Sequence, residues 1–204
     1  LKPFACLSKS ATAVQKPYLS SLCVARGNWA ILPSMKRKYI WLVLISAFLV
    51  ALDQVIKVYV HTHFHLGESI SVIPNFFNIT YVRNFGAAFG FLAESHPDFR
   101  EIFFLAMPPI ALIIILGILR GVKDDDTKQI IALSSIFGGA IGNYIDRVRF
   151  RYVIDFLDFH IYNRWSWPAF NIADMAIVGG VGLLLLLMFL ENKKKEKEKT
   201  EGAA

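Results

Sequence analysis

The chain has 204 residues, 55% of them hydrophobic, with a formal net charge of +6 and a mean hydropathy of +0.46. Its apolar residues are bunched into long runs and not spread at helical spacing, which excludes an ordinary soluble domain and fits a membrane protein. Many of its lysines lie in two clusters beside apolar runs, Lys36-Arg37-Lys38 and Lys193 to Lys199, so the charge is no sign of nucleic-acid binding.

Residues 1–34 are cationic, contain several serines, and lack Asp, Glu and any long apolar run. One reading is a targeting extension. The other, adopted here, is an over-called start, with Met35 ahead of Lys-Arg-Lys as the natural beginning and residues 1–34 disordered. The only cysteines, Cys6 and Cys23, fall in this stretch, so the body has no disulfide or zinc framework.

Four segments read as long and apolar enough to span a bilayer, which takes roughly 20 apolar residues. The first, Tyr39 to Val60, carries Asp53 and Lys57 one helical turn apart. A connection from His61 to Glu101 follows. In it "SISVIP" and "FNITYVRN" alternate apolar and polar residues and read as short strands, forming a small sheet on the membrane surface. Asn84 closes the second of these, just before "FGAAFGFL".

The second span, Ile102 to Leu119, contains Pro108-Pro109, which predicts a kink. The third, Gln129 to Ile145, has Gly138 and Gly142 at the spacing of a close helix contact. Asn143, Asp146 and Arg147 follow at its end. The next connection holds Arg147, Arg149, Arg151 and Arg164, then "RYVIDFLDFH" and an aromatic cluster of Trp165, Trp167 and Phe170. The fourth span, Ile172 to Leu190, opens on Asn171 and Asp174 and carries Ala176 and Gly180. A basic tail, 193–204, ends the chain.

Four spans return both termini to one side. The basic ends and the Arg120–Lys128 loop are then cytoplasmic, as the positive-inside rule asks. The arginines of the third-to-fourth connection resist that rule and require a local duty. With this topology Asp53, Lys57, Asn84, Asn143, Asp146, Arg147, Asp155, Asn171 and Asp174 all reach one depth near the outer interface.

Most of these polar residues have a plain structural reading. Asp53 and Lys57 form an i,i+4 ion pair, Asp146 and Arg147 a structural pair, and the asparagines cap helices or turns. Asp158 lies on a solvated face, and His160 has no partner at metal spacing. Asp155 and Asp174 are left over. Two carboxyls held together cannot both ionise, so one stays protonated while the other acts as base. Hydrolysis of a peptide by water needs that asymmetry.

"LDQVIK", "VRNFGAAFGFL", "GGAIGNYIDR", "VIDFLDFH" and "FNIAD", in this order between Leu52 and Asp174, resemble the bacterial lipoprotein signal peptidases, the signal peptidase II family of integral-membrane aspartic peptidases. The resemblance covers Met35 to Leu190. It implies an all-α polytopic membrane fold of four transmembrane helices, with a small extracytoplasmic β-cradle and an interfacial segment before the last helix. It implies Asp155 and Asp174 as the catalytic pair, with Asp53, Lys57, Asn84, Gly86, Asn143, Arg147 and Asn171 in substrate-binding or supporting roles.

The implied substrate is a diacylglyceryl-modified prolipoprotein, cut on the N-terminal side of its lipidated cysteine, with no metal or organic cofactor. The expected protein is a monomer of the bacterial inner membrane, contacting lipid, with both termini cytoplasmic and its site near the outer face. Residues 35–192 form its peptidase domain. Two other classes compete: a proton- or ion-coupled transporter subunit, since intramembrane Asp and Lys also serve relays, and a non-catalytic lipoprotein-binding membrane protein.

Overall fold

A computed structural model describes residues 36–86, 96–162 and 165–201. The expected extension 1–34 and Arg164 lie outside the described residues. Among the described residues, four helices and four strands follow in the order α1 (Arg37–His63), β1 (Ser69–Ile73), β2 (Phe77–Asn84), α2 (Pro97–Gly121), α3 (Thr127–Phe150), β3 (Val153–Ile161), β4 (Trp165–Ser166) and α4 (Ile172–Glu201).

Local chemistry sets the helix ends. Pro97 opens α2 after an extended His96, since proline suits the first helical position and forces its predecessor out of the helical region. The Asp126 side chain caps α3 by accepting the Gln129 N–H at 3.1 Å. That helix ends on Arg151, whose left-handed backbone (φ 66°) turns the chain into β3. Pro108 and Pro109 lie inside α2, which runs through them as one helix. Helix α4 continues into the basic tail as far as Glu201. Lys195–Glu191 and Lys194–Glu198 pair one turn apart along it, at 2.8 and 3.8 Å.

Helices α1, α2 and α4 are long and apolar enough to cross a membrane. Their large side chains face outward, with Ile113 and Val178 each 70% exposed. A water-soluble monomer does not carry such a continuous apolar belt; a multi-pass membrane protein does. Helix α3 is not among these three. It packs against all three other helices and has Ser134, Gly138, Gly139, Gly142 and Asn143 where an outward-facing span has large aliphatics.

The glycines allow the close approach. A Cβ on Gly138 would stand 2.9 Å from the Ser46 backbone, and one on Gly139 would strike the Ala173 carbonyl oxygen. Buried Leu42, Ile115, Leu119, Ile130 and Leu133 form the core at one end of the bundle. A second cluster packs Val60 of α1 against Tyr81, Ile154 and Phe156 of the strands.

The strands form an antiparallel sheet in the order β1-β2-β3-β4. β1 and β2 fall where alternation predicts them. "VIDFLDFH", expected as an interfacial segment before the last helix, takes the form of a strand, β3, inner in the sheet beside β2. Val153 to Phe156 are all buried, so this half of the strand has no solvent face and shows no period of two. Its position matters for the site, because Asp155 lies opposite Val82 of β2. Backbone bonds between Phe170 and β3 (Leu157 N–H to Phe170 O, 2.8 Å; Phe170 N–H to Leu157 O, 3.0 Å) bring the start of α4 alongside.

Candidate active site

Asn171 and Asp174 open α4 as a reciprocal cap. The Asp174 N–H donates to Asn171 Oδ1 at 2.9 Å, and the Asn171 N–H donates to Asp174 Oδ2 at 3.2 Å. This is a capping box, and it fixes Asp174 on the first turn. With its carbonyl so engaged, the Asn171 side chain has only its amide to offer. That amide donates to Asp155 Oδ1 at 2.6 Å. One asparagine therefore holds both carboxylates.

The other two asparagines work the same way. Asn84 Oδ1 accepts the Gly86 N–H at 3.0 Å, which turns its amide toward Asp155 Oδ2 at 2.9 Å. Asn143 Oδ1 accepts from the Lys57 ammonium at 3.0 Å, which turns its amide toward Asp174 Oδ1 at 2.7 Å. In each case an obligate donor occupies the carbonyl, so the amide cannot flip without leaving two groups unsatisfied. All four carboxylate oxygens accept from neutral amides.

Beneath this layer, Lys57 is buried between Asp53 at 2.7 Å and Asp146 at 2.9 Å. Its partners reach backbone. Asp53 Oδ1 accepts the Ala173 N–H at 3.0 Å, and Asp146 Oδ2 accepts the Ile154 N–H at 3.1 Å. Gln54 completes the layer, donating to Asp146 Oδ1 at 2.8 Å and to the Gly142 carbonyl at 3.1 Å.

The expected i,i+4 pair of Asp53 and Lys57 is present. Asp146 and Arg147 are not a pair: adjacent on α3, they point apart. Asp146 faces Lys57, while Arg147 donates to the Gly86 carbonyl at 3.2 Å and lies over the Phe104 ring at 4.9 Å. Gln54 is a component that the polar pattern missed, although a polar side chain within an apolar span was signal enough. Asp158 and His160 stand aside, 3.6 Å from each other, with Asn78 donating to Asp158 at 3.3 Å. Asp158 is less solvated than expected, its side chain being 24% exposed.

Asp155 is buried and Asp174 half-buried. Burial pushes the Asp155 carboxyl up to about 7, and the charge of Asp174 adds to the rise; the Asn84 and Asn171 hydrogen bonds and the Lys57 charge oppose it. Two carboxyls in one field, one of them titrating near neutrality, can hold a single proton between them. Among the described residues no cluster of His, Cys, Asp or Glu is arranged to hold a metal ion.

Comparison with known proteins gives concordant results. The sequence model of the family described as Signal peptidase (SPase) II matches residues 45–190. The lipoprotein signal peptidase of Syntrophus aciditrophicus is 47% identical over 163 residues, covering 80% of this chain and 99% of that protein. That of Geobacter metallireducens is 43% identical, with the same coverage of both chains. A solved bacterial membrane enzyme, determined by the in meso method at 2.3 Å, is 37% identical with a TM-score of 0.67, covering 76% of this chain and 90% of its own.

Proposed function

The chain belongs to the signal peptidase II family, and from that membership we propose that Asp155 and Asp174 are the catalytic pair of an aspartic endopeptidase. The protein is a membrane peptidase that removes signal peptides from prolipoproteins. The observation that carries the aspartic reading is the position of Asn171, bonded at once to Asp155 and to Asp174.

The roles follow from burial. Asp155, raised to about 7, holds the shared proton at rest, and the half-buried Asp174 acts as the base. Asp174 takes a proton from a water whose oxygen attacks the scissile carbonyl carbon, while Asp155 donates to the carbonyl oxygen as it becomes an oxyanion. Collapse of the resulting gem-diol breaks the C–N bond: the proton held on Asp174 passes to the leaving nitrogen, and a gem-diol hydroxyl returns its proton to Asp155 as the new carbonyl forms. Asn84, Asn143 and Asn171 keep the carboxylates aimed, Arg147 holds the Gly86 carbonyl, and the Lys57 layer sets the positions of α4 and β3.

The substrate in this reading is a prolipoprotein bearing a diacylglyceryl cysteine, cleaved on the N-terminal side of that residue. Its acyl chains anchor the scissile bond at interface depth. In this reading helix α3 is a fourth span shielded by the other three; an even number of spans returns both ends to one side, and the basic residues flanking the spans make that side the cytoplasm of the inner membrane, with the pair near the outer face. Residues 35–192 form the working unit, acting as a monomer. A proton relay across the bilayer is disfavoured, since on α1 only Ser46 is a buried polar side chain between Lys38 and Asp53.

The test is cleavage of a diacylated precursor by the purified protein and by Asp155→Asn and Asp174→Asn, with an unlipidated precursor alongside. Each substitution should reduce turnover by at least about a thousandfold, as loss of a principal catalytic group does. Near-normal processing by either variant rejects the pair. Binding without any product from the unsubstituted protein would instead mark a non-catalytic binder.

A further inference from the structure

Helix α2 is held unevenly along its length. Toward its C-terminal end Ile115, Leu119 and Val122 lie in the core with Leu42 of α1 and Leu133 of α3. The buried Lys38 ammonium clasps the same end, donating to the Arg120 carbonyl at 2.9 Å and the Val122 carbonyl at 2.6 Å. A helix leaves its last carbonyls without partners of its own, so Lys38 both satisfies that end and ties it to α1. Over residues 97–107, by contrast, Phe104 is the only buried side chain.

Between the two parts stand Pro108 and Pro109. Proline has no N–H, so the carbonyls of Phe104 and Leu105 lack their helical donors. Two such gaps in succession make this the softest point of α2. Bending there gives up no helical hydrogen bond at either position.

The packing leaves room for such a motion. Helices α1 and α4 pack on α3 and on each other, whereas α2 packs chiefly on α3. A crevice of about 190 Å³ already opens between the start of α2 and the end of α3, with Phe104, Leu105, Arg147 and Arg151 in its lining. Glu101 and Arg151 meet at 3.2 Å, both side chains about half exposed; such a surface pair is weak and parts readily. Phe104 lies against the Arg147 guanidinium at 4.9 Å, and Arg147 donates to the carbonyl of Gly86, whose N–H bonds Asn84. This part of α2 therefore touches the chain that orients Asp155.

We infer that residues 97–107 form a gate, hinged at Pro108-Pro109 and latched by Glu101 and Arg151, which swings from α3 to let the acyl chains of a lipidated substrate pass sideways from the bilayer to the site. The need for a gate rests on the substrate reading above; the hinge rests on α2 alone.

The full-length protein carrying Cys6→Ser and Cys23→Ser should be spin-labelled at Ile102→Cys/Val178→Cys and, separately, at Ile118→Cys/Leu186→Cys, four positions more than half exposed. Distances measured in lipid nanodiscs without substrate should fall into two populations for the first pair and one for the second. Pro108→Ala/Pro109→Ala, which restores both donors, should merge the first pair into one population and raise the unfolding temperature. It should also cut turnover of a diacylated precursor about tenfold, as slowed gating does. Prolines with a merely structural role would not move stability and turnover in opposite directions. Glu101→Gln should enlarge the longer-distance population. A single distance for the first pair in the parent, or unchanged turnover in the alanine variant, overturns the gate. Two populations in a parent that cleaves no diacylated precursor would overturn the peptidase reading and leave the hinge standing.

Discussion

Asp53 accepts the backbone N–H of Ala173 at 3.0 Å, across 120 residues of sequence. Ala173 directly precedes Asp174. Asp146 makes the equivalent contact with Ile154, the residue directly before Asp155. Lys57 joins the two carboxylates. One ammonium thus couples the backbones that carry both members of the proposed pair.

Lys57→Met therefore leaves two carboxylates buried with no cation between them. Removing one partner of a buried ionic group costs about 3–5 kcal/mol. Thermal unfolding in detergent should fall by roughly 6–20 °C for a chain of this size. At temperatures where the variant stays folded, turnover should still drop about a hundredfold, because small misplacements of reacting groups are that costly. Normal turnover in the folded variant would show that the layer is structural only.

The Asp155 carboxyl gives two opposed pH predictions. Asp174 raises it and the Asn84 amide lowers it, on top of the larger effect of burial. In ¹³C-carboxyl NMR, Asp174→Asn should move the Asp155 midpoint below its starting value of about 7, and Asn84→Ala should move it above. The stability sign follows from the same shift. The fold disfavours the ionised form, so the penalty is fully present above about pH 7. It fades on acidification toward the ordinary carboxyl value of 3.8, where the unfolded chain is protonated too. The difference in unfolding temperature between Asp155→Asn and the parent should hence shift in favour of the variant from pH 4 to pH 8. A constant difference would mean that Asp155 titrates alike in both states.

Asn143 touches Asp174 and Lys57. Its loss should act on the chemical step and not on precursor binding. A hydrogen bond to a charged group is worth about 1.5–3 kcal/mol, so Asn143→Ala should lower kcat by roughly 10- to 150-fold with KM within a factor of about two. A rise in KM with kcat unchanged would place Asn143 against the substrate instead.

Most of the site could be read before the fold because apolar spans make polar residues conspicuous. Asp53, Lys57, Asn143 and Asn171 stand out against such a background, and the i and i+3 spacing of Asn171 and Asp174 is the signature of a cap. What escaped depends on pairing across the sequence. β3 hides its strand period because its first half is buried on both faces. The sequence puts Asp146 next to Arg147, yet residues adjacent on a helix point about 100° apart, and the cation of Asp146 comes from another helix. The tail reads as charge alone, although its acidic and basic residues alternate at helical spacing.

The glycines of α3 provide a test of close packing that needs no polar group. A Cβ on Gly139 would collide with the Ala173 carbonyl oxygen and approach Ile177 to 2.8 Å. The first of these is backbone and cannot rotate away. Gly139→Ala should thus push α4 off α3 at the residue before Asp174, costing about 1–3 kcal/mol as an overpacked contact and reducing turnover more than tenfold. Gly182 on α4 has nothing within 4 Å of the same added atom. Gly182→Ala should be neutral or stabilising by up to about 1 kcal/mol, through helix propensity alone. Unfolding temperatures and precursor cleavage for the two variants, measured side by side, decide the matter: if both alanines behave alike, α3 and α4 do not approach as closely as their backbones indicate, and Asp174 does not depend on that contact for its place.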